Sequence, residues 1–177
     1  MGPRSLTVSF IAIMTATAAA LRLMKHGLIG SIQFVNIPMA FAMLSGYLAG
    51  PAEGLAVGLL CFPVSDMFLS IGPWTAVNSG LAGLTGFIWG FLRDCKDRVE
   101  LFVAAFISEL LYDVLSSVAL LLINGVQLQA AFMMGFLGLF LPAGGGFLYL
   151  VGPVTEVSTS LLVSLLSLKV RGVMEKI

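Results

Sequence analysis

Apolar stretches, each near the length of a membrane-spanning helix, recur along the whole chain and are broken by Gly, Pro or charged residues. A spanning helix needs about 20 predominantly apolar residues. Charged residues make up only 10% of the 177 residues, against about 25% in a soluble domain. The sequence therefore predicts an integral membrane protein with no room for a soluble domain.

Six of these stretches predict transmembrane helices, which together form one membrane domain over residues 1–177. They lie near residues 6–24, 34–49, 53–69, 74–92, 99–123 and 146–168. The first follows Arg4 as a signal peptide would, but it lacks a clear cleavage site and is interpreted as a retained helix.

One further apolar run, 128–141, is short for a crossing and is followed by Pro142 and a glycine triplet. Such a run is typical of an interfacial or re-entrant segment. The expected fold is an all-α bundle of six transmembrane helices, with this short segment before helix six.

The basic residues favour a membrane orientation, because cytoplasmic loops collect Lys and Arg. With six spans and a cytoplasmic N-terminus, only Arg22 and Lys25 fall outside. The other basic residues then fall inside: Arg4, Arg93, Lys96, Arg98, Lys169, Arg171 and Lys176. We expect a multi-pass protein of the cytoplasmic membrane with both termini in the cytoplasm.

Acidic residues inside the predicted spans are the main candidates for function. They are Asp66, Glu109, Asp113 and Glu156, and each costs about 2.5–3.5 kcal/mol at a helix centre unless a partner or a cavity receives it. Glu109 lies about 15 Å from the cytoplasmic start of its helix, and Asp113 about 6 Å further out. This outer placement favours an outward-facing ligand cavity over a proton relay spread across the membrane.

Other polar and aromatic residues are expected at the same outer level. Asn36 and Asn78 lie near the outer ends of helices two and four. Arg22 and His26 either pair with Glu109 and Asp113 or contact an anionic part of a ligand, and a solvated loop position stays open for His26. For the two aromatic residues at the outer mouth, Trp74 and Tyr149, an interfacial belt and ligand stacking are both open. Trp89, near the other end, is assigned to an interfacial belt.

Several function classes are disfavoured by the residue inventory. Zero net charge gives no electrostatic footprint for nucleic acid. A single His, with no Ser/His/Asp set and no HExxH, predicts a chain that is not an enzyme. Cys61 and Cys95 are expected to be unpaired, and neither a metal site nor a cofactor is expected.

Helix one carries Ala12, Ala16 and Ala20 at a spacing of four. Small residues at this spacing make a smooth face on which a second helix packs closely. The face fits either an ordinary contact within the bundle or docking onto another membrane subunit.

These features, taken in order, resemble the substrate-binding S components of energy-coupling factor (ECF) transporters. The resemblance is carried by six short spans, the alanine face, "GPAEGLAVGLL" opening helix three and "IGPWTAVNSGLAGLTGFIWG" running into helix four. It implies capture of a vitamin or related micronutrient in an outward-facing cavity. It also implies docking through Ala12, Ala16 and Ala20 onto a coupling subunit, which contacts two ATPases.

The resemblance leaves the ligand open, because the chain matches no vitamin-specific subgroup. The chain does not begin with the Met-His opening of the nickel and cobalt members. Four acids with aromatic residues at the mouth suit a ligand with a cationic heterocycle or several hydrogen-bond donors. Two alternatives remain: a stand-alone proton-coupled carrier that uses Glu109 or Asp113, and a non-catalytic membrane assembly protein.

Overall fold

The protein is described by a computed structural model over residues 3–30, 32–141 and 151–174. Every regular element within these ranges is a helix, as predicted. They are α1 (Pro3–Ile29), α2 (Ile37–Ala49), α3 (Pro51–Leu69), α4 (Pro73–Trp89) with a 3₁₀ turn at Gly90–Leu92, α5 (Arg98–Ile123), α6 (Leu128–Gly138) and α7 (Val151–Met174).

Four of the helices are long and apolar enough to cross a membrane: Arg4–Ile29, Pro51–Leu69, Arg98–Ile123 and Val151–Val173. Two further apolar helices, α2 and α6, are shorter. The 11 residues of α6 span about 16 Å, roughly half of a hydrocarbon core of about 30 Å. The chain thus has the character of a helical membrane protein.

Helix boundaries differ from the prediction at two places. α1 continues to Ile29, well beyond the expected end at residue 24. α2 begins at Ile37 rather than residue 34, because Asn36 caps it and Pro38 occupies its first turn. The Asn36 side-chain oxygen accepts a hydrogen bond from the Met39 backbone N–H at 3.4 Å, which is the usual role of Asn at a helix start. The predicted start of the last helix, at residue 146, lies outside the described residues.

α2 lies at the centre of the bundle and contacts α1, α3, α4 and α7. Most of its residues are buried, with Met39, Met43 and Tyr47 among the largest. α5 packs between α4, α6 and α7. The core is therefore centred on α2, the shortest of helices α1 to α5, rather than on one of the four long helices.

The backbones of α3 and α4 approach very closely at glycines. A Cβ on Gly54 or on Gly86 would collide with backbone atoms of the other glycine, closer than real Cβ contacts come. Gly58 meets the backbone of Ala82 in the same way. Small residues at such contacts are how membrane helices obtain packing energy without a hydrophobic drive.

Trp89 corrects one sequence interpretation. It is not in an interfacial belt, since its exposure is 0% and its indole N–H donates a hydrogen bond to Ser108 at 3.0 Å. A buried indole needs such a partner, and α5 supplies it.

The loops divide the bundle into two ends. Residues 30, 32–36, 70–72 and 124–127 and the start of α7 lie at one end, named here the site end. The turn at Gly50 and the loop 93–97 lie at the opposite end.

Candidate ligand-binding site

Polar side chains from α1, α3, α5 and α7 converge toward the site end, beside the segment that leads into α2. Asn36, Asp66, Glu109 and Glu156 are all at least nine-tenths buried. Asp113 is half-buried one helical turn beyond Glu109, on the same face of α5. The structure therefore brings together five of the residues that the sequence singled out.

Glu109 is fully buried, and neither oxygen of its carboxyl group has a hydrogen-bond partner among the described residues. The Asn36 amide lies close by, and the charges of Asp113 and Glu156 act on Glu109. The Asn36 Nδ2 and one oxygen of Glu156 also lack a partner of normal geometry. Buried polar groups are normally hydrogen-bonded, so each of these unpaired atoms calls for an explanation.

Asp113 lines a cavity of about 280 Å³ between α5, α6, α7 and Gln33. Ser117 and Thr155 add hydroxyl groups to its wall, and Leu139 adds apolar surface. Glu156, next to Thr155 in sequence, and Glu109, one turn before Asp113, do not line the cavity themselves but neighbour residues that do. This space is named here the acidic cavity.

Asp66 has the opposite surroundings, because its carboxylate is fully paired. Arg22 forms an ion pair with it at 2.6 Å and also donates to Ser65, while the Thr75 hydroxyl donates to its second oxygen at 2.7 Å. The Arg22 guanidinium lies 4.9 Å from the Phe62 ring centroid, within cation–π range. Arg22 therefore pairs with an acid, but with Asp66 rather than with the expected Glu109 or Asp113.

A second cavity, of about 200 Å³, lies on the other side of Gln33. Its wall includes Arg22, Lys25, His26 and Trp74, with Asp66 beneath. Lys25 is half-buried, and no carboxylate among the described residues pairs with it. Trp74 is 39% exposed and donates to the Ser70 carbonyl at 3.3 Å. This space is named here the basic cavity.

The segment 32–36 separates the two cavities and is held by hydroxyl groups of α7. The Thr155 hydroxyl donates to the Gln33 carbonyl, and the Ser158 hydroxyl donates to the Phe34 carbonyl. The Asn36 N–H donates to the Thr159 hydroxyl at 2.9 Å. Non-helical backbone is tolerated at membrane depth only where protein or water satisfies it, and α7 does so here.

Sequence reasoning missed these α7 hydroxyls as well as Gln33. The signal was present, since "VTEVSTS" places hydroxyls at 155, 158 and 159, which fall on one helix face. Their role depends on which backbone they meet, and that is set by the fold.

Some predicted site residues stand apart. Asn78 is half-buried on α4 and lines neither the acidic nor the basic cavity. Tyr149 lies outside the described residues. Ala12, Ala16 and Ala20 are exposed, whereas Ala18 and Ala19 on the same helix are buried. The alanine face thus points away from the bundle.

Within the described ranges, no three His, Cys, Asp or Glu side chains are placed so that they could hold a metal ion. Comparison with known proteins adds no assignment, since no family model, no curated protein and no solved structure matches the chain.

Proposed function

We propose that this chain is the substrate-binding S component of an ECF-type importer. In this proposal it captures a vitamin-like small molecule at its site end, and a membrane coupling subunit with two ATPase subunits drives uptake. The observation that carries the proposal is the unpaired polar layer of Asn36, Glu109 and Glu156 beside an open cavity.

The unpaired layer supports ligand binding for an energetic reason. A buried polar group without a partner costs about 1–3 kcal/mol, and more when charged. The segment 32–36, α5 and α7 each contribute such atoms to one region. A ligand with several hydrogen-bond donors satisfies the two Glu109 oxygens and the free oxygen of Glu156 at once.

A six-crossing topology is part of the proposal. α2 alone is about 20 Å long, but residues 32–36 extend it by about 16 Å, since extended chain covers about 3.3 Å per residue. α4 with the turn at Gly90–Leu92 covers about 30 Å. Both then reach across a hydrocarbon core of about 30 Å, beside the four long helices. In the orientation favoured by the basic residues, the site end faces outward.

Docking through α1 is supported by the exposed alanine face. The matched test compares Ala16→Trp with Leu21→Trp, a lipid-exposed position of α1 about 140° around the helix from Ala16. The tagged protein is purified from membranes of its own host, and co-purifying proteins are identified by mass spectrometry. We expect wild type and Leu21→Trp to bring down one multi-span membrane protein and ATPase subunits, and Ala16→Trp to lose them.

Two results would contradict docking through the alanine face of α1. One is wild-type protein that co-purifies with no ATPase, and the other is an Ala16→Trp variant that retains its partners.

A proton-coupled carrier is the second candidate, and the surroundings of Glu109 favour it. Because no donor in the described part of the chain forms a hydrogen bond of normal geometry with the Glu109 oxygens, a proton is the alternative to a ligand donor. Proteoliposomes containing only this chain separate the two candidates. Substrate uptake driven by a pH gradient without ATP, and abolished by an uncoupler, would establish the carrier and reject the S component.

A further inference from the structure

The site end holds two cavities of opposite charge that share one wall. Asp113 lines the acidic cavity, and its charge acts on Glu109, whose two carboxyl oxygens lack a partner among the described residues, as does one oxygen of the neighbouring Glu156. Arg22 and Lys25 line the basic cavity. Gln33 lines both, so the two spaces meet at its side chain.

Cavity size indicates that one ligand uses both spaces. Small-molecule sites are usually about 300–1,000 Å³. The acidic cavity, at about 280 Å³, and the basic cavity, at about 200 Å³, are each below that range. Taken together they fall within it.

The basic cavity retains positive charge after its internal ion pair is counted. Arg22 and Lys25 face the single carboxylate of Asp66, and Arg22 already neutralises that carboxylate at 2.6 Å. Lys25 is left without a carboxylate partner among the described residues, with His26 next to it. A carboxylate or phosphate group on a ligand is the chemistry that Lys25 accommodates.

The acidic cavity requires the opposite chemistry. The Glu109 oxygens are fully buried and have no hydrogen bond of normal geometry from any described residue, and the Asn36 amide beside them provides only two donor hydrogens. A protonated amine, a guanidinium or an amino-substituted heterocycle supplies the missing donors.

We propose that the site takes an amphoteric small molecule, with its cationic or donor-rich group among Asn36, Glu109, Asp113 and Glu156 and its oxyanion beside Lys25 and His26. The inference rests on the proposed binding function and goes beyond it, because it excludes purely cationic and purely anionic ligands.

The test uses a defined equimolar mixture of matched pairs that differ by one oxyanion. The pairs are putrescine and ornithine, agmatine and arginine, pyridoxamine and pyridoxamine phosphate, and thiamine and thiamine monophosphate, with biotin and pantothenate as anions that lack a cation. Purified protein in nanodiscs is equilibrated with the mixture, and retained compounds are measured by mass spectrometry. We expect retention of amphoteric members only.

Variants that remove one charge test which cavity holds the cationic end of the bound compound and which holds its oxyanion. Asp113→Asn and Lys25→Gln should each weaken retention about tenfold or more, the size of one charge-assisted hydrogen bond. Glu53→Gln and Lys96→Gln, whose residues lie at the opposite end, are matched controls that should retain as wild type does. Thermal unfolding of each variant confirms that it is folded.

The outcomes separate the inference from the function on which it rests. Equal retention of a cation and its oxyanion-bearing partner, or full retention by Lys25→Gln, overturns the amphoteric ligand while ligand binding stands. Retention of no compound by the wild-type protein overturns both.

Discussion

At the scale of single residues, the two most informative side chains are Glu109 and Asp66. Both are buried acids near the site end, yet Asp66 accepts from two donors, Arg22 and Thr75, whereas no described residue forms a hydrogen bond of normal geometry with Glu109. A buried charge is stabilised by an opposite charge that pairs with it, whereas an unpaired buried charge destabilises the fold. The two residues therefore respond in opposite directions when their charge is removed.

We predict that Glu109→Gln raises the stability of the ligand-free protein by about 1–3 kcal/mol at a pH high enough to ionise the Glu109 carboxyl group, because it removes a desolvated charge that Asp113 and Glu156 repel. Asp66→Asn should lower stability by about 3 kcal/mol, since it leaves Arg22 buried without a counter-charge. Thermal unfolding in detergent measures both changes. A Glu109→Gln protein that unfolds at a lower temperature than wild type would show that the carboxyl group stabilises the fold and is not kept for a ligand.

The identity of the polar residues at this scale was predictable, but their pairing was not. An acid inside an apolar stretch is visible in the sequence. The sequence alone therefore identifies four acids as candidate site residues: Asp66, Glu109, Asp113 and Glu156. That Arg22 pairs with Asp66 depends on the register of α1 against α3, across 44 positions of sequence. The same register of α1 against α3 leaves Lys25, three residues after Arg22, without a carboxylate partner among the described residues.

At the scale of helices, the close approach of α3 and α4 is the most constrained contact. A Cβ on Gly86 would collide with the backbone of Gly54, whereas a Cβ on Gly80 of the same helix would meet no atom within 4 Å. We predict that Gly86→Ala costs about 1–3 kcal/mol through overpacking and lowers the yield of folded protein. Gly80→Ala is the matched control and should be neutral or slightly stabilising. Equal behaviour of the two variants in thermal unfolding would contradict the close approach.

The contact between α7 and the segment 32–36 gives a second test at this scale. Thr159→Val removes the acceptor of the buried Asn36 N–H, and we expect a loss of about 1–3 kcal/mol. Thr15 provides the control, because its buried hydroxyl has no hydrogen-bond partner among the residues that the structure describes, so Thr15→Val should leave stability unchanged or raise it. Comparing the two unfolding temperatures checks the prediction, and a neutral Thr159→Val would mean that the segment is not anchored there.

Helix type and order were largely predictable, since apolar length and Gly or Pro interruptions determine where a membrane helix starts and ends. The positions of α3, α4 and α5 agree with the sequence within a few residues. Trp89 was misplaced because a tryptophan near a helix end is typical of an interface, and only packing against Ser108 reveals its burial. The start of α2 shifted because Asn36 caps the helix, a local effect that hydropathy does not detect.

At the scale of the whole molecule, Cys95 offers a test of orientation. It lies in the loop 93–97 and is partly accessible, whereas Cys61 is fully buried. With the opposite end in the cytoplasm, a membrane-impermeant maleimide should label inside-out vesicles and not intact cells. Cys95→Ser is the control that should abolish labelling, and labelling of intact cells would invert the topology.

The rate at which Cys95 reacts with a maleimide is also predicted to depend on pH. Partial burial, followed by the hydrogen bond that its thiol donates to Glu100 at 3.2 Å, raises the pKa of Cys95. The thiolate is the reactive form, so labelling near neutral pH should be slower than that of a free cysteine, and the difference should shrink as pH rises. Glu100→Gln should speed labelling at neutral pH. A rate that does not respond to this substitution would contradict the assigned cause.

The anchoring of the segment 32–36 by α7 also has a consequence for biogenesis. The Asn36 N–H and its acceptor on Thr159 are 123 positions apart, so this stretch is synthesised long before the helix that satisfies its backbone. Until α7 is made and inserted, the peptide groups of residues 32–36 lack these partners. Insertion of α7, rather than of the first helices, is then the step at which the candidate site forms.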